Sequence, residues 1–359
     1  MEATGIYTMP VYHALLEHGS FEQVLVCNAA HVKNVPGRKT DAVDAAWLAE
    51  LLECGLLRGS FIPEPKMKAV RDVARYRKKL VGARTSELQR LGAVPQDAGI
   101  KLDSVASCIG TVSGRAMIEA LIDGERRGEV LAELARGRMR AKIADLRLAL
   151  EGRFDAHHAL MCRLHLEHLD HLNEMIARLD EQVEQMMIPF ARQRELLITI
   201  PGIGPVAAAA ILSEIGASPA QYFTDGAHLA SWAGLCPGNH ESAGKRRHGT
   251  PRKGNQHLKP VLVEAAWSAV RTDGRLRARY HHLVLRFGGY RNPGAKKKAI
   301  FAIAHILIVI IWNVLATDSA YTDLGAEFYV HRNDPDRETR RLIAKLEALG
   351  HRVTIQPAA

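Results

Sequence analysis

Apolar residues return every three to four positions along two long stretches, residues 66–91 and 151–187, and the positions between them are largely charged. In the second stretch Leu164, Leu169, Leu172, Ile176, Leu179 and Val183 keep near-helical spacing, which predicts a long amphipathic helix. Each such helix carries one apolar stripe, so the two pair either within the chain or between chains. Ahead of them the pattern changes. Residues 7–18 have helical spacing and stop at Gly19, and residues 23–27 (QVLVC) are a short β-branched run. From about Asp41 to Cys54, Val43, Trp47 and Leu51 recur on one helix face, and Gly55 follows. This alternation predicts a sheet with crossover helices. Residues 92–140 are rich in Gly and Ser, then in Arg and Glu, and predict weaker helices and loops. A second globular unit starts near Leu196, and the apolar run 299–316 suits the helix that closes its core. The tail predicts a small strand–helix–strand appendix, with a charged helix over residues 336–349. Four segments follow: 1–62, 63–190, 191–318 and 319–359.

Charge changes the picture first. The 359 residues hold 48 Lys and Arg against 39 Asp and Glu, a net charge of +9, which suits a polyanionic partner such as nucleic acid. The five cysteines, Cys27, Cys54, Cys108, Cys162 and Cys236, form no CxxC pair and read as reduced, mostly buried thiols rather than a disulfide or zinc framework. The first residues carry no basic region followed by an apolar run, so no signal peptide is expected. The run 299–316 is about long enough to span a bilayer, but it contains His305 and Asn313 and stands alone, so a buried core helix is the expectation and no membrane partner is.

Three constellations bear on chemistry. Ile198-Thr199-Ile200-Pro201-Gly202-Ile203-Gly204-Pro205 lies between apolar helices in a helix-hairpin-helix pattern. Its glycines permit a tight turn and close approach to a phosphate, and the N–H groups opening the next helix face an anion. On that reading Gly202, Ile203 and Gly204 touch DNA; on the other, the turn only joins two core helices. Next, residues 239–255 (NHESAGKRRHGTPRKGN) form a Gly- and Ser-containing loop with Lys245, Arg246, Arg247, Arg252 and Lys253, suited to lie along a phosphate backbone. Ser242 sits in that loop, where a serine is ordinarily a turn former. Third, Asp41 and Asp44 share one helix face and suit either a divalent cation or, as the residues alone favour, an N-cap and first turn. Glu2 ends a short strand and is a possible third carboxylate. His165, His168 and His171 fall at i, i+3 and i+6 among Glu167 and Asp170, on what reads as a solvated coil surface.

Taken together, these segments resemble the "IS one-ten" family of insertion-sequence transposases, the bridge-RNA-guided recombinases. The likeness runs through EATGIY, KTDAVDAAWLAELL, PGIGPVAAAAILSEIG, the stretch from FTDGAHLASWAGLCPGNHESAGKRRHGTPRKGNQHL to VEAAW, and KKKAIFAIAHILIVIIW, in the family's order. It implies an α/β plus α fold: a partial RNase H/RuvC-like domain, a long helical coil that dimerises, and a mainly helical C-terminal transposase domain with a helix-hairpin-helix. It implies catalytic and Mg²⁺-binding roles for Glu2, Asp41 and Asp44, and a nucleophilic role for Ser242, which forms a covalent phosphoserine. DNA, an element-encoded guide RNA and further copies of the chain, as a dimer or tetramer, are the implied partners, in a bacterial cytoplasm at the nucleoid. The family's first aspartate lies on a strand ahead of the glutamate, whereas this sequence opens at the glutamate. Either the start codon lies further upstream or the copy is truncated; if the chain is complete as given, the expectation is an incomplete sheet, a metal set short of one carboxylate, and little or no recombination, with DNA or RNA binding retained. A Mg²⁺-dependent, structure-selective DNA nuclease and a non-catalytic DNA- or RNA-binding remnant are the competing readings.

Overall fold

The computed structural model describes residues 1–3, 5–29, 32, 44–57, 59–238, 241–246, 253–328 and 335–354. The chain divides into two units, Met1–Pro65 and Lys66–Ala359.

In the first unit, three short extended segments meet. Glu2 pairs in parallel with Cys27, and Cys27 pairs antiparallel with Gly59. The Cys27 N–H donates to the Met1 carbonyl and the Ala3 N–H to the Cys27 carbonyl, both at 2.8 Å. Helix α1 (Thr8–Glu17) lies between the two parallel segments in sequence, which makes a short crossover unit. Helix α2 (Asp44–Glu53) brings Leu51, Trp47 and Leu48 onto Cys27 and Val32 to form a small core. The expected α/β sheet is thus reduced, among the described residues, to isolated bridges, and the chain as a whole is mostly helical.

The second unit opens with the two long helices the periodicity predicts. They are α3 (Pro65–Asp97) and, after four short helices, α8 (Ala156–Met187). They meet within the chain: Leu80 packs with Leu172 and Ile176, and the Arg77 guanidinium pairs with Asp180. Asp155 caps α8 by accepting from the His157 and His158 N–H groups, and His158 returns the contact to the Asp155 backbone. Between them lie α4 (Leu102–Val105), α5 (Val112–Ile122) and α6 (Gly128–Glu133), short helices in the segment expected to hold weaker helices and loops, and then α7 (Ile143–Ala149). Ile100, Leu102, Met117, Ile118, Leu121, Leu131 and Leu146 form a dry core against α8 through Cys162 and Leu166. No helix there exceeds eleven residues, so burial rather than length sustains them.

The remaining helices gather round one apolar helix. They are α9 (Ala191–Ile198), α10 (Pro205–Ile215), α11 (Gly226–Trp232), α12 (Leu258–Ala269), α13 (Arg275–Arg286) and α14 (Pro293–Ala316). Helix α14 is long and apolar enough to cross a bilayer, yet Ala299, Ile300, Ile303, Ala304, Leu307, Ile308 and Ile311 are buried against α9, α11, α12 and α13. Gly226 lets α11 press its backbone onto Val309, where a Cβ would come within 3.0 Å of the Val309 Cα. In the tail, α15 (Pro335–Ala348) is the predicted charged helix. The described tail residues hold no strand, and the expected strand residues Tyr329, Val330 and Ile355 lie outside the described residues. Two of the five cysteines, Cys27 and Cys162, are buried, while Cys54 and Cys108 are exposed and Cys236 is intermediate, so the expectation of mostly buried thiols is corrected.

Candidate active site and nucleic-acid interface

Helices α9 and α10 are joined by the turn through Pro201, Gly202, Ile203 and Gly204. Gly202 has φ +85°, and a Cβ there would lie 2.3 Å from the Ala265 carbonyl oxygen and 2.6 Å from the Ala269 nitrogen. Its lack of a side chain serves a close approach to α12. Ile203 is buried, which pins the turn to the core. Gly204 is exposed and has open space where a Cβ would be, and as N-cap of α10 it offers no side-chain cap. Of the three, Gly204 therefore leaves helix N–H groups open to an anion.

The far end of α10 carries a group the sequence reading missed. Glu214 is 3% exposed and takes two hydrogen bonds from Arg75, at 2.7 and 2.8 Å, and one from the Asn255 amide at 2.6 Å. Arg71 donates to the Ser213 and Glu214 carbonyls at 2.8 and 2.9 Å, closing the C-terminal end of α10. Burial opposes ionisation of Glu214, but the Arg75 and Asn255 contacts outweigh it and hold its carboxyl below the ordinary range. Asn255 in turn accepts from the His257 and Leu258 N–H groups at 2.9 and 3.0 Å, fixing the start of α12. The signal in the sequence was one acid inside the apolar run of residues 206–215.

Asn255 closes the basic loop, and its neighbour fixes the loop's base. A Cβ on Gly254 would sit 2.3 Å from the Gly234 nitrogen and 2.4 Å from the Ala233 carbonyl, so only glycine permits this backbone contact. Between those points, Glu241–Ser242 pairs antiparallel with Lys245–Arg246, with Ser242 opposite Lys245. Ala243 and Gly244 have φ of +50° and +72°, the positive pair that a two-residue I′ hairpin turn requires. Ser242 thus takes the position just before a tight turn. Lys253 is exposed at the loop's end; Arg247 and Arg252 lie outside the described residues.

A cavity of about 560 Å³ opens beside the first turn of α10, lined in part by Gly204, Val206, Arg75, Arg77, Lys78 and His257. Burial and the neighbouring Arg75 push the His257 imidazole below its ordinary value.

In the first unit, Glu2 is partly buried on the segment paired with Cys27, and Asp44 begins α2, the helix that packs on Cys27. Asp41 lies outside the described residues. Among the described residues no group of three His, Cys, Asp or Glu side chains is arranged to hold a metal. Of the three histidines of α8 expected on a solvated surface, His168 and His171 are exposed, while His165 is turned inward. His165 Nδ1 lies 2.6 Å from Glu87 Oε1, His168 Nδ1 lies 3.3 Å from the same oxygen, and Glu87 is buried.

Residues 194–281 match the sequence pattern of the Transposase IS116/IS110/IS902 family, and residues 1–96 match a second IS110-type pattern, of the DEDD class, described as a transposase. A Pseudomonas aeruginosa protein named "Probable family 20 transposase" is 28% identical over 293 residues, 80% of this chain and 75% of that protein. A Sinorhizobium fredii relative is 27% identical over 284 residues, covering 79% of this chain and 64% of its own length. The pilin gene-inverting protein of Moraxella bovis is 30% identical over 154 residues, 42% of this chain and 46% of that protein.

Proposed function

This chain belongs to the IS110 family of transposases, and we propose that it exchanges DNA strands through a covalent serine intermediate formed by Ser242. The observation that carries the reading is the way the loop of Ser242 is held. Gly254 and Asn255 fix its base to Gly234, α10 and α12, and a two-residue turn sets Ser242 beside Lys245 in register. A nucleophile needs such a stable base, because misplacement by about 1 Å costs of order a hundredfold in rate.

The chemistry balances as two transesterifications. Ser242 Oγ loses its proton to a base or water and attacks a DNA phosphorus; the bond from phosphorus to the 3′ oxygen breaks, and that oxygen takes up a proton. A 3′-hydroxyl from the partner strand then attacks the phosphoserine, reforms a phosphodiester and returns the serine hydroxyl. Lys245, Arg246, Arg247, Arg252 and Lys253 hold the phosphate backbone, and the exposed N–H groups after Gly204 form a second contact in helix-hairpin-helix fashion. Carboxylates are the hard oxygen donors that Mg²⁺ takes, and Glu2, Asp41 and Asp44 are the residues that would hold it. Bound there, Mg²⁺ would supply charge neutralisation at the phosphodiester. A RuvC-like arrangement of the first unit, a second protomer and an element-encoded guide RNA belong to the same reading, carried by the family likeness.

The test incubates the protein with Mg²⁺, element-end DNA and the element's RNA, and follows covalent protein–DNA adducts by denaturing gel and mass spectrometry. The expected adduct maps to Ser242 and disappears in Ser242→Ala. Strand cleavage that persists in Ser242→Ala and is lost in Asp44→Ala would replace the reading with water attack by a nuclease.

A further inference from the structure

The polar groups at the foot of the serine loop form a relay that starts on the long helix α3, far from the loop in sequence. Arg75 grips Glu214 with two donors: Nε reaches Oε1 at 2.7 Å and Nη2 reaches Oε2 at 2.8 Å. Such a bidentate pair fixes the plane of the carboxylate as well as its charge. Oε2 accepts a second bond, from the Asn255 Nδ2 at 2.6 Å. With its nitrogen so committed, the Asn255 amide has one orientation left, and its oxygen accepts from the His257 and Leu258 N–H groups at the start of α12. The residue before it, Gly254, is the one seated on Ala233 and Gly234. The direction set by Arg75 is thus passed, through two side chains, to the end of the loop that carries Ser242.

Arg71, one turn earlier on α3, grips backbone instead. It donates to the Ser213 and Glu214 carbonyls, and its Nε lies 3.7 Å from Glu214 Oε2, so it holds the end of α10 without setting the carboxylate plane. Fastening alone does not account for Arg75, because apolar side chains of similar volume hold two helices at least as well as a buried ion pair. What the guanidinium adds is direction. We infer that Arg75 is a positioning residue for strand exchange, acting through Glu214 and Asn255 to hold the Ser242 loop in its reactive placement. The inference rests on the serine reading for the reaction it serves, and on the hydrogen bonds alone for the relay.

The experiment follows formation of the Ser242 adduct in single turnovers of the full chain, with Mg²⁺, the element's RNA and increasing element-end DNA. Arg75→Ala is expected to lower the maximal rate at least about tenfold while half-saturation by DNA stays within about twofold, because a slightly misplaced nucleophile loses rate before it loses contacts. Arg75→Lys keeps the charge but lacks the planar fork, so its urea midpoint should stay native while its rate still falls about fivefold. Arg115→Ala breaks a bidentate pair with Asp170, between α5 and α8, and should keep the native rate within about twofold. Arg75 and Glu214 line the open cavity beside α10, so methylguanidinium at about 50 mM should enter and restore Arg75→Ala at least about threefold, leaving the native chain unchanged. Exchange of the His257 and Leu258 amides, measured in a Ser242→Ala background, reads the relay without the chemistry and should quicken at least about tenfold on adding Arg75→Ala. If Arg75→Ala keeps both its rate and its amide protection, the inference falls and the serine reading stands. If rate, half-saturation and urea midpoint fail together in both Arg75 variants and methylguanidinium restores nothing, Arg75 only fastens helices and the inference is overturned. If the native chain forms no adduct at Ser242, the serine reading falls and the amide exchange decides: quickened by Arg75→Ala it upholds the relay, unchanged it overturns it.

Discussion

Glu2 owes its position to the lightest kind of framework: two backbone hydrogen bonds to Cys27 and a core built on Cys27, Val32 and Leu51. The loop of Ser242 rests on a buried carboxylate, Glu214, that two arginines and an asparagine surround, and on a backbone contact only glycine permits. Both candidate halves of the chemistry must present polar groups at the surface, yet one is supported by a few apolar side chains and the other by charge. A small apolar core deforms gradually when it loses a side chain. A buried charged hub does not, because removing one member leaves the others desolvated and unpaired.

The sharpest way to break the comparison is Glu214→Ala. It is expected to cost about 3 kcal/mol in the urea unfolding of the second unit, by leaving the Arg75 guanidinium and the Asn255 amide without the carboxylate that accepts from them. Leu51→Ala is expected to cost about 2–4 kcal/mol, since Leu51 is 2% exposed, and to act on the first unit alone. Hydrogen exchange would show it: the Cys27 amide should exchange faster while α12 keeps its protection. Equal loss of protection in both units would undo the division into separately supported halves.

A third experiment asks whether a buried carboxylate elsewhere in the second unit behaves as Glu214 does. Burial opposes ionisation of Glu87, but contacts from His165, Arg90 and His168 prevail and hold its carboxyl at about 2. A carboxyl held below its unfolded value stabilises the fold above about pH 4.5, and that stability is lost as pH falls towards 2. The expected contribution is of order 2 kcal/mol, read as the extra fall in urea midpoint between pH 5 and pH 2.5 in the native chain relative to Glu87→Gln. Equal falls in both would show that the contact carries no net stability. The smallest effect is at the loop tip. Ala243 has φ +50°, which costs a non-glycine residue roughly 1 kcal/mol, so Ala243→Gly should steady the hairpin by about that amount. Adduct formation at sub-saturating DNA would report it as an increase of up to about fivefold, and a decrease would mean that the alanine restrains the turn usefully.

The sequence made the long elements legible and the short ones obscure, for a physical reason. Over 32 or 33 residues an apolar stripe repeats often enough to be recognised, and α3 and α8 follow it. Helices of four to eleven residues give the stripe one to three turns, so α4–α6 could be read only as weaker helices and loops without boundaries, although they enclose Met117 and Leu131 at zero exposure. Periodicity is also blind to a polar residue facing inward: Glu87 and His165 look like a coil surface until both helices are in place. In the candidate site, the tight turn at Gly202 was legible, but its partner across the turn was not, because Ala265 and Ala269 lie some sixty residues further on. Ser242 was legible only through the family likeness, since nothing in a basic loop distinguishes one hydroxyl.

The contact of Gly254 with Ala233 and Gly234 has a practical consequence for engineering. With the two ends of the intervening segment brought together by the fold, the length of what lies between becomes nearly a free variable. Doubling such a segment costs only about 0.6 kcal/mol of closure entropy. Extra residues can therefore be inserted after His248 with the helices below undisturbed, provided that the Glu241–Arg246 hairpin carrying Ser242 is kept.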